Sequence, residues 1–259
     1  MTETVAETGS DTRNGVQVIA RAAAIMRLLA AAPEGLNFSE LAVKVGLPRT
    51  TVHRICRALE QEGLVASDPE HARMHLGPEL LRMAATSRRD LSSLIGPILE
   101  RLSQELNETV DLGVLDGSDA LYLAQYPAPS RVLMAMARVG GRIPAHCTST
   151  GKALLAYLPA EELRRRLPAQ LHLPAREVYI GRDELLQELE DVRHTGLSFD
   201  REEHHLGICA VSVTITDVDG RVAAITVPMP ATRFYEDQDK VAAALIAARD
   251  EAQARIDGE

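Results

Sequence analysis

Aromatic side chains are scarce in this chain: three Phe, five Tyr and no Trp among 259 residues. Its cores must be built from Leu, Val, Ile and Ala, and no platform of rings exists for stacking exposed bases, which excludes a single strand of nucleic acid as ligand. Cysteine is equally sparse. Cys56, Cys147 and Cys209 are odd in number and far apart, with no CxxC pair to suggest a zinc site or a redox motif. Free thiols are expected, with no metal and no cofactor. Long apolar runs are missing as well. Nothing approaches the roughly 18 residues of a membrane span, and the polar start MTETVAETGSDTRNG lacks the layout of a signal peptide. A cytoplasmic protein without a membrane partner is the expectation. Neither a Rossmann glycine fingerprint nor a Walker loop occurs, which disfavours a nucleotide-driven machine.

What is present is ordinary globular composition, 46% hydrophobic and 25% charged, at a length that suits two domains. The formal net charge of -9 is unevenly spread. Residues 16–89 hold ten Arg or Lys against seven Asp or Glu, a balance of +3, while residues 90–259 hold seventeen against twenty-seven, a balance of -10. Only the first segment is fit to meet phosphates, because the field at a binding face is local and screened beyond about 10 Å.

Residues 1–15 are polar, acidic and aperiodic, and read as a disordered tail. Val18, Ile19, Ala22, Ile25, Met26 and Leu29 then fall at helical spacing until Pro33 and Gly35. Asn37 as cap, Glu40 reaching back to it, and a Leu36–Leu41 staple announce a second helix, which Gly46 ends. Pro48 opens a third, with Val52, Ile55, Cys56 and Leu59 as its apolar stripe. Its other face carries Arg49, Thr50, His53, Arg54 and Arg57. Two short helices joined by a Gly-containing turn, the second with a basic face, suit a helix-turn-helix in a major groove. LVASDPEHARMHL reads as two strands around an Asp-Pro turn, a candidate wing on which Arg73 joins the DNA-contacting set. Periodicity alone is also met by a small helical bundle whose charged helix is merely solvated.

Farther on, an amphipathic helix spans about Ser92 to Leu106, and TVDLGVLDG and ALYLAQY form a hairpin through Asp116, Gly117 and Ser118. RVLMAMARV alternates as a third strand would. In RIPAHCTSTGKALLAYLP a Pro-containing strand end meets small hydroxylated residues, then Gly151 and Lys152 open a helix. The first N–H groups of such a helix can hold an anion; equally, Thr148 or Ser149 simply caps it. Helices at Ala160–Arg166 and Asp183–His194, paired strands around Asp219 and Gly220, and a long helix from about Tyr235 complete an α+β layout. The cluster Asp200, Glu202, Glu203, His204, His205 and Cys209 invites a hydrolase or metal reading. Neighbouring His204 and His205 point to opposite faces of a strand, however, and no HExxH spacing occurs. Likewise His146 and Cys147, adjacent in sequence, are poor geometry for a base and its nucleophile. No catalytic residue is assigned.

GLNFSELAVKVGLPRTTVHRICRALEQEGLV closely resembles the DNA-binding domain of the IclR family of bacterial transcription regulators, and PAHCTSTGKALLA and GLSFDREEHHLGICAVSV resemble the signature segments of its effector domain. The resemblance covers almost everything after residue 15. It implies a winged helix-turn-helix at 16–76, a linker helix at 77–90 that helps pair subunits through Leu80, Leu81 and Ala84, and a GAF-like effector domain at 91–259. The partners it implies are a double-stranded DNA operator, a small-molecule effector, and a second copy in a homodimer or tetramer. Carried over residue by residue, the effector contacts are Ser149, Thr150, Asp200 and Cys209, with Val132 and Ile143 as apolar wall and Lys152 in support. Where relatives that bind small oxo acids have a Ser-x-Ser pair, this chain reads Thr226, Val227, Pro228. Thr226 keeps a hydroxyl but Pro228 offers no donor, so a larger and less polar organic acid, such as an aromatic one, is expected. A ligand-binding protein whose N-terminal helices have lost DNA affinity is the alternative from another class.

Overall fold

The structure, a computed structural model, describes residues 9–86, 91–132, 134–135 and 137–258. Contacts cluster into two units, Met1–Arg88 and Arg89–Glu259.

The first unit runs α1 (Gly9–Ala30), α2 (Phe38–Val45), α3 (Arg49–Gln61), β1 (Val65–Asp68), β2 (Arg73–Leu76) and α4 (Glu79–Thr86). Its core is made where the apolar stripes meet: Ile25 and Leu29 from α1, Leu41 from α2, Val52, Ile55, Cys56 and Leu59 from α3, Val65 and Met74 from the strands. The capping box forms. Asn37 Oδ1 accepts from the Ser39 and Glu40 amides at 2.9 and 3.0 Å, and Glu40 accepts from the Asn37 amide at 2.8 Å. Gly46 takes the left-handed conformation, φ 70°, that the tight turn to α3 requires. β1 and β2 pair antiparallel, and Leu36 adds a bridge to Met74.

Two expectations change here. The first helix starts at Gly9, inside the stretch read as a tail: once a helix is nucleated each added residue gains a hydrogen bond, and no proline stops α1 on that side. Val18 and Ile19, placed on its buried stripe, are exposed. Of the linker helix, α4 supplies Glu79–Thr86, and residues 87–90 lie outside the described residues.

The second unit opens with α5 (Leu91–Leu106), β3 (Val110–Asp116), β4 (Asp119–Tyr126) and β5 (Arg142–Pro144). A 3-10 turn at Ala145–Cys147 leads into α6 (Ser149–Leu155) and α7 (Ala160–Arg166), followed by a hairpin of β6 (Gln170–Leu173) and β7 (Val178–Gly181) that the sequence had not announced. α8 (Arg182–Thr195), β8 (Ser198–Arg201), β9 (Ile208–Thr216), β10 (Val222–Pro230) and α9 (Ala231–Asp257) complete it. Six strands form one sheet in the order β5-β4-β3-β10-β9-β8, antiparallel throughout.

Strand alternation gives the sheet two different faces. Cys209, Val211, Val213 and Ile215 of β9, with Ile225, Val227 and Met229 of β10, pack under α5 and α9 against Ile98, Leu102, Phe234 and Leu245. The intervening residues, Ala210, Ser212, Thr226 and Pro228, turn to the face that α6 covers. α9 begins at Ala231, four residues before the expected Tyr235, because Pro230 suits the position just before a first helical turn.

RVLMAMARV is not a strand among its described residues. The chain turns before β5 instead, the Gly141 amide bonding back to the Arg138 carbonyl at 2.7 Å. Tyr122 bonds to Gly140 and Gly141, and the Ala137 carbonyl accepts from the Gln125 side chain at 2.7 Å instead of from a ladder. Its Ala and Met residues also favour strands less than the β-branched neighbours on β9.

Candidate functional site

Arg49, Thr50, His53, Arg54 and Arg57 all lie exposed on one side of α3, opposite its buried stripe. The His53 ring rests near Phe38 of α2, centroids 5.0 Å apart, which steadies the base of the face. Three guanidinium groups in three turns make a surface able to meet both phosphates and base edges. Arg73 differs. Its guanidinium donates to the Gly35 carbonyl at 2.7 Å and lies 3.7 Å from Glu40, so it ties the wing to the turn before α2. The wing turn is set by Asp68, whose Oδ1 accepts from the Glu70 and His71 amides.

In the second unit a cavity of about 350 Å³ opens on the α6 face of the sheet. Asp111, Thr226, Pro228, Ala210 and Asp200 line it from β3, β10, β9 and β8; Ser149 and Thr150 line it from α6. Ile143, Tyr122, Ile208, His204 and His205 close the sides, with Met134, Ala135 and Ala137 from the segment before β5. The strand pairings Asp111↔Thr226, Thr226↔Ser212 and Pro228↔Ala210↔Asp200 explain why these residues share one surface. Two glycines let α6 come down on it. A Cβ at Gly151 would stand 2.2 Å from the Ala145 backbone, and one at Gly113 would stand 2.8 Å from the Thr150 methyl.

A row of hydroxyls runs beneath α6: Ser149 to Ser212 at 2.8 Å, Ser212 to Thr226 at 2.6 Å, Thr226 to Thr150 at 2.8 Å, Thr150 to Tyr122 at 3.3 Å. Thr148 caps α6, its hydroxyl accepting from the Gly151 amide at 3.1 Å. Ser149 and Thr150, in the first turn of α6 where amides have no earlier helical carbonyl, border the cavity. Lys152 stays out of it. It is wholly buried, its ammonium held by Glu188 at 2.6 Å and by Glu203 at 2.7 Å.

Two buried acids bracket the row. Burial pushes the Asp111 carboxyl up to about 7 against the hydrogen bond from Gln125, and pushes Asp200 up to about 7 against the hydrogen bond from the Glu203 amide. His204 is lowered by its own burial, with His205 and His146 adding to the effect. Cys147, 3.8 Å from His204, is raised to about 12 by burial, the opposite of what a nucleophilic thiol needs. Among the described residues no His, Cys, Asp and Glu group is arranged to hold a metal, and no helix is long and apolar enough to cross a membrane.

The profile described as the IclR helix-turn-helix domain matches residues 18–69, and that described as the C-terminal part of the bacterial transcriptional regulator IclR matches residues 83–254. The HTH-type transcriptional regulator Rv1719 of Mycobacterium tuberculosis is 45% identical over 238 residues, 92% of each chain. This chain belongs to the IclR family. TtgV of Pseudomonas putida, also an HTH-type transcriptional regulator, is 38% identical over 232 residues, 90% of this chain and 88% of that one. The fold is shared with an IclR homologue from Microbacterium hydrocarbonoxydans complexed with 4-hydroxybenzoate, at a TM-score of 0.80, 20% identity, and coverage of 93% and 100%. An IclR-type chain is a DNA-binding regulator of transcription with an effector-binding C-terminal domain, a non-enzymatic role.

Ser149, Thr150, Ile143, Asp200 and Thr226, expected from the IclR resemblance, come together in the cavity. Val132 and Cys209 do not. Val132 is fully exposed, because the segment bearing it is not a strand. Cys209 is an odd step from Asp200's partner Ala210 and therefore faces the core under α9. Asp111, Tyr122 and Ser212 were missed. A signal existed for two of them: a lone Asp in TVDLGV and a lone Ser in CAVSVTIT interrupt otherwise apolar strands, the mark of a polar site on a buried face.

Proposed function

We propose that the regulator acts in the cytoplasm as a homodimer or tetramer, reading a double-stranded operator through Arg49, Thr50, His53, Arg54 and Arg57. Its operator affinity responds to a small organic acid with an aromatic or otherwise partly apolar body. The domain limits follow the same reading: the winged helix-turn-helix to residue 76, the linker helix at 77–90, and the effector domain from 91. Exposed Leu81, on the helix expected to link the domains, supports pairing of subunits there. A strictly monomeric species in light scattering with operator DNA present would contradict that part.

The cavity of about 350 Å³ carries the effector reading. Its size suits a small ligand, and its walls of Met134, Ala135, Ile143, Ile208, Ala210 and Pro228 suit an apolar body. The Ser149 and Thr150 amides offer donors to a carboxylate, helped by the positive end of α6. Asp111 and Asp200 do not bar an anion, because both carboxyls can hold a proton near neutral pH. The same fold holds an aromatic acid in the Microbacterium protein.

Calorimetry on the full chain with aromatic and short aliphatic acids in parallel tests the proposal. At least one aromatic acid should bind more tightly than glyoxylate or pyruvate. Ala210→Leu, which extends a side chain from the cavity floor, should abolish that binding while leaving operator affinity intact. Preference for glyoxylate or pyruvate over every aromatic acid overturns the argument from Pro228.

A further inference from the structure

Residues 202–207, between β8 and β9, form an outer wall of the cavity. His204 and His205 line it, while His205 and Leu206 are exposed to solvent. The backbone takes positive φ at both ends of the segment, 59° at Glu202 and 80° at Gly207, so the chain doubles sharply there. From the β6–β7 hairpin the Ala175 amide meets the Glu203 carbonyl at 3.1 Å, and the Glu203 amide meets Asp200 at 2.8 Å. The Glu203 side chain reaches inward. Its two oxygens accept from Lys152 Nζ of α6 at 2.7 and 2.8 Å. Lys152 stands two residues after Thr150, which lines the cavity from α6. One ammonium therefore ties the helix start to the outer wall, and the cavity lies between them.

A buried ion pair by itself argues little, since apolar residues of like volume often serve stability as well. Here the ammonium has a second partner. Glu188 of α8 accepts from it at 2.6 Å and is largely open to water, while Glu203 is mostly buried. If Glu203 swings outward, Lys152 keeps a carboxylate beside it and Glu203 gains water, so neither charge is stranded. Parting the pair by moving the segment therefore costs much less than parting it by mutation, which leaves a buried charge unpaired.

We propose that Lys152 is a positioning residue: through Glu203 it latches residues 202–207 over the cavity, and release of that latch is the step by which effector enters and leaves. The proposal rests on the reading of the cavity as the effector site, and adds how that site opens. A ligand packed against His204 and His205 holds the segment in place, so occupancy and closure favour each other.

Cys147 reports the opening. Its thiol is buried, 3.8 Å from His204 Nδ1, and burial pushes its pKa up to about 12, so it reacts with iodoacetamide only when the segment moves away. The test follows Cys147 alkylation in the full chain by peptide mass spectrometry, with Cys56 in the core of the first unit as internal reference. Glu203→Ala should speed the Cys147 reaction about tenfold or more, the effect of losing a hydrogen bond between charged groups. Glu203→Gln, which keeps a neutral acceptor, should fall between it and the wild type. Glu188→Ala should leave the rate equal or slower, because an ammonium without a second partner holds Glu203 harder. A pair that only braced the fold would speed the reaction in both. The rate in Glu203→Ala should also stay nearly flat in dilute urea, since local opening exposes little surface.

Circular dichroism checks that each variant folds, and Glu203→Gln serves alone if Glu203→Ala does not. An unchanged rate in the Glu203 variants, equal acceleration in Glu188→Ala, or a urea dependence as steep as that of global unfolding overturns the proposal. Benzoate, 4-methylbenzoate and pyruvate separate it from the reading beneath it. An acid that binds in calorimetry should slow the wild-type reaction, and one that binds without slowing it overturns the latch. If Glu203→Ala speeds the reaction and none of the three acids binds, the latch stands and the organic-acid reading fails.

Discussion

Lys152 has no accessible surface, and its charge is met by Glu188, which is itself 40% exposed, and by Glu203, which is 14% exposed. Removing the ammonium leaves Glu203 as a mostly buried charge without its partner. Lys152→Met should therefore cost about 3 kcal/mol, the lower end of the range for broken buried pairs, since Glu188 can turn to water. Urea denaturation checks this, and adding Glu203→Gln to the variant should recover part of the loss. Asp111 and Asp200 make the opposite case. Each folded carboxyl sits near 7 where an ordinary one is 3.8, so between those values the folded chain holds protons the unfolded chain releases. Their contribution to stability is full below the ordinary value and is lost as pH rises through about 7. The urea midpoint of the wild type should fall across that window, and Asp111→Asn should flatten the decline.

Helix termini decide both sites at the scale of elements. α2 is only eight residues long and too short to stand alone, so its capping box matters. Asn37→Ala removes the acceptor of two amides and should weaken α2 by about 1 kcal/mol. Amide exchange over residues 38–45, followed by mass spectrometry, should quicken about fivefold. α6 is fitted differently, by contact rather than by cap alone. Gly151→Ala places a methyl on the Ala145 backbone, which has no flexible side chain to move aside. We expect a loss of about 2 to 3 kcal/mol, with ligand affinity falling in calorimetry because Ser149 and Thr150 leave their places.

The whole molecule joins a DNA reader to a ligand sensor, and each half has a separable readout. The Arg49→Ala, Arg54→Ala, Arg57→Ala triple variant should bind operator weakly. If all three meet phosphates, the slope of log affinity against log salt should shrink by about 3. An unchanged affinity in gel shift would remove α3 from the interface. Effector should alter operator affinity only as far as it distinguishes two conformations, about 1 to 3 kcal/mol of coupling. The Ala210→Leu variant should keep the affinity and lose the response.

The sequence alone determined the parts whose physics is local. The capping box at Asn37, the left-handed turn at Gly46, the apolar stripe of α3 and the exposed basic face opposite it follow from spacing and backbone preference within a dozen residues. Resemblance to the family extended this to the effector domain and to Ser149, Thr150, Asp200, Ile143 and Thr226. Tertiary structure decided the rest, because a strand's two faces look alike until its register is known. Cys209 went to the core and Ser212 to the face beneath α6 by the alternation along β9. RVLMAMARV, strand-like by its pattern, became a wall of the cavity instead, which left Val132 in solvent and brought Ala137 to the Gln125 bridge beside Asp111. Those outcomes depend on which backbone donors and acceptors are still free when distant segments meet, and no local pattern records that.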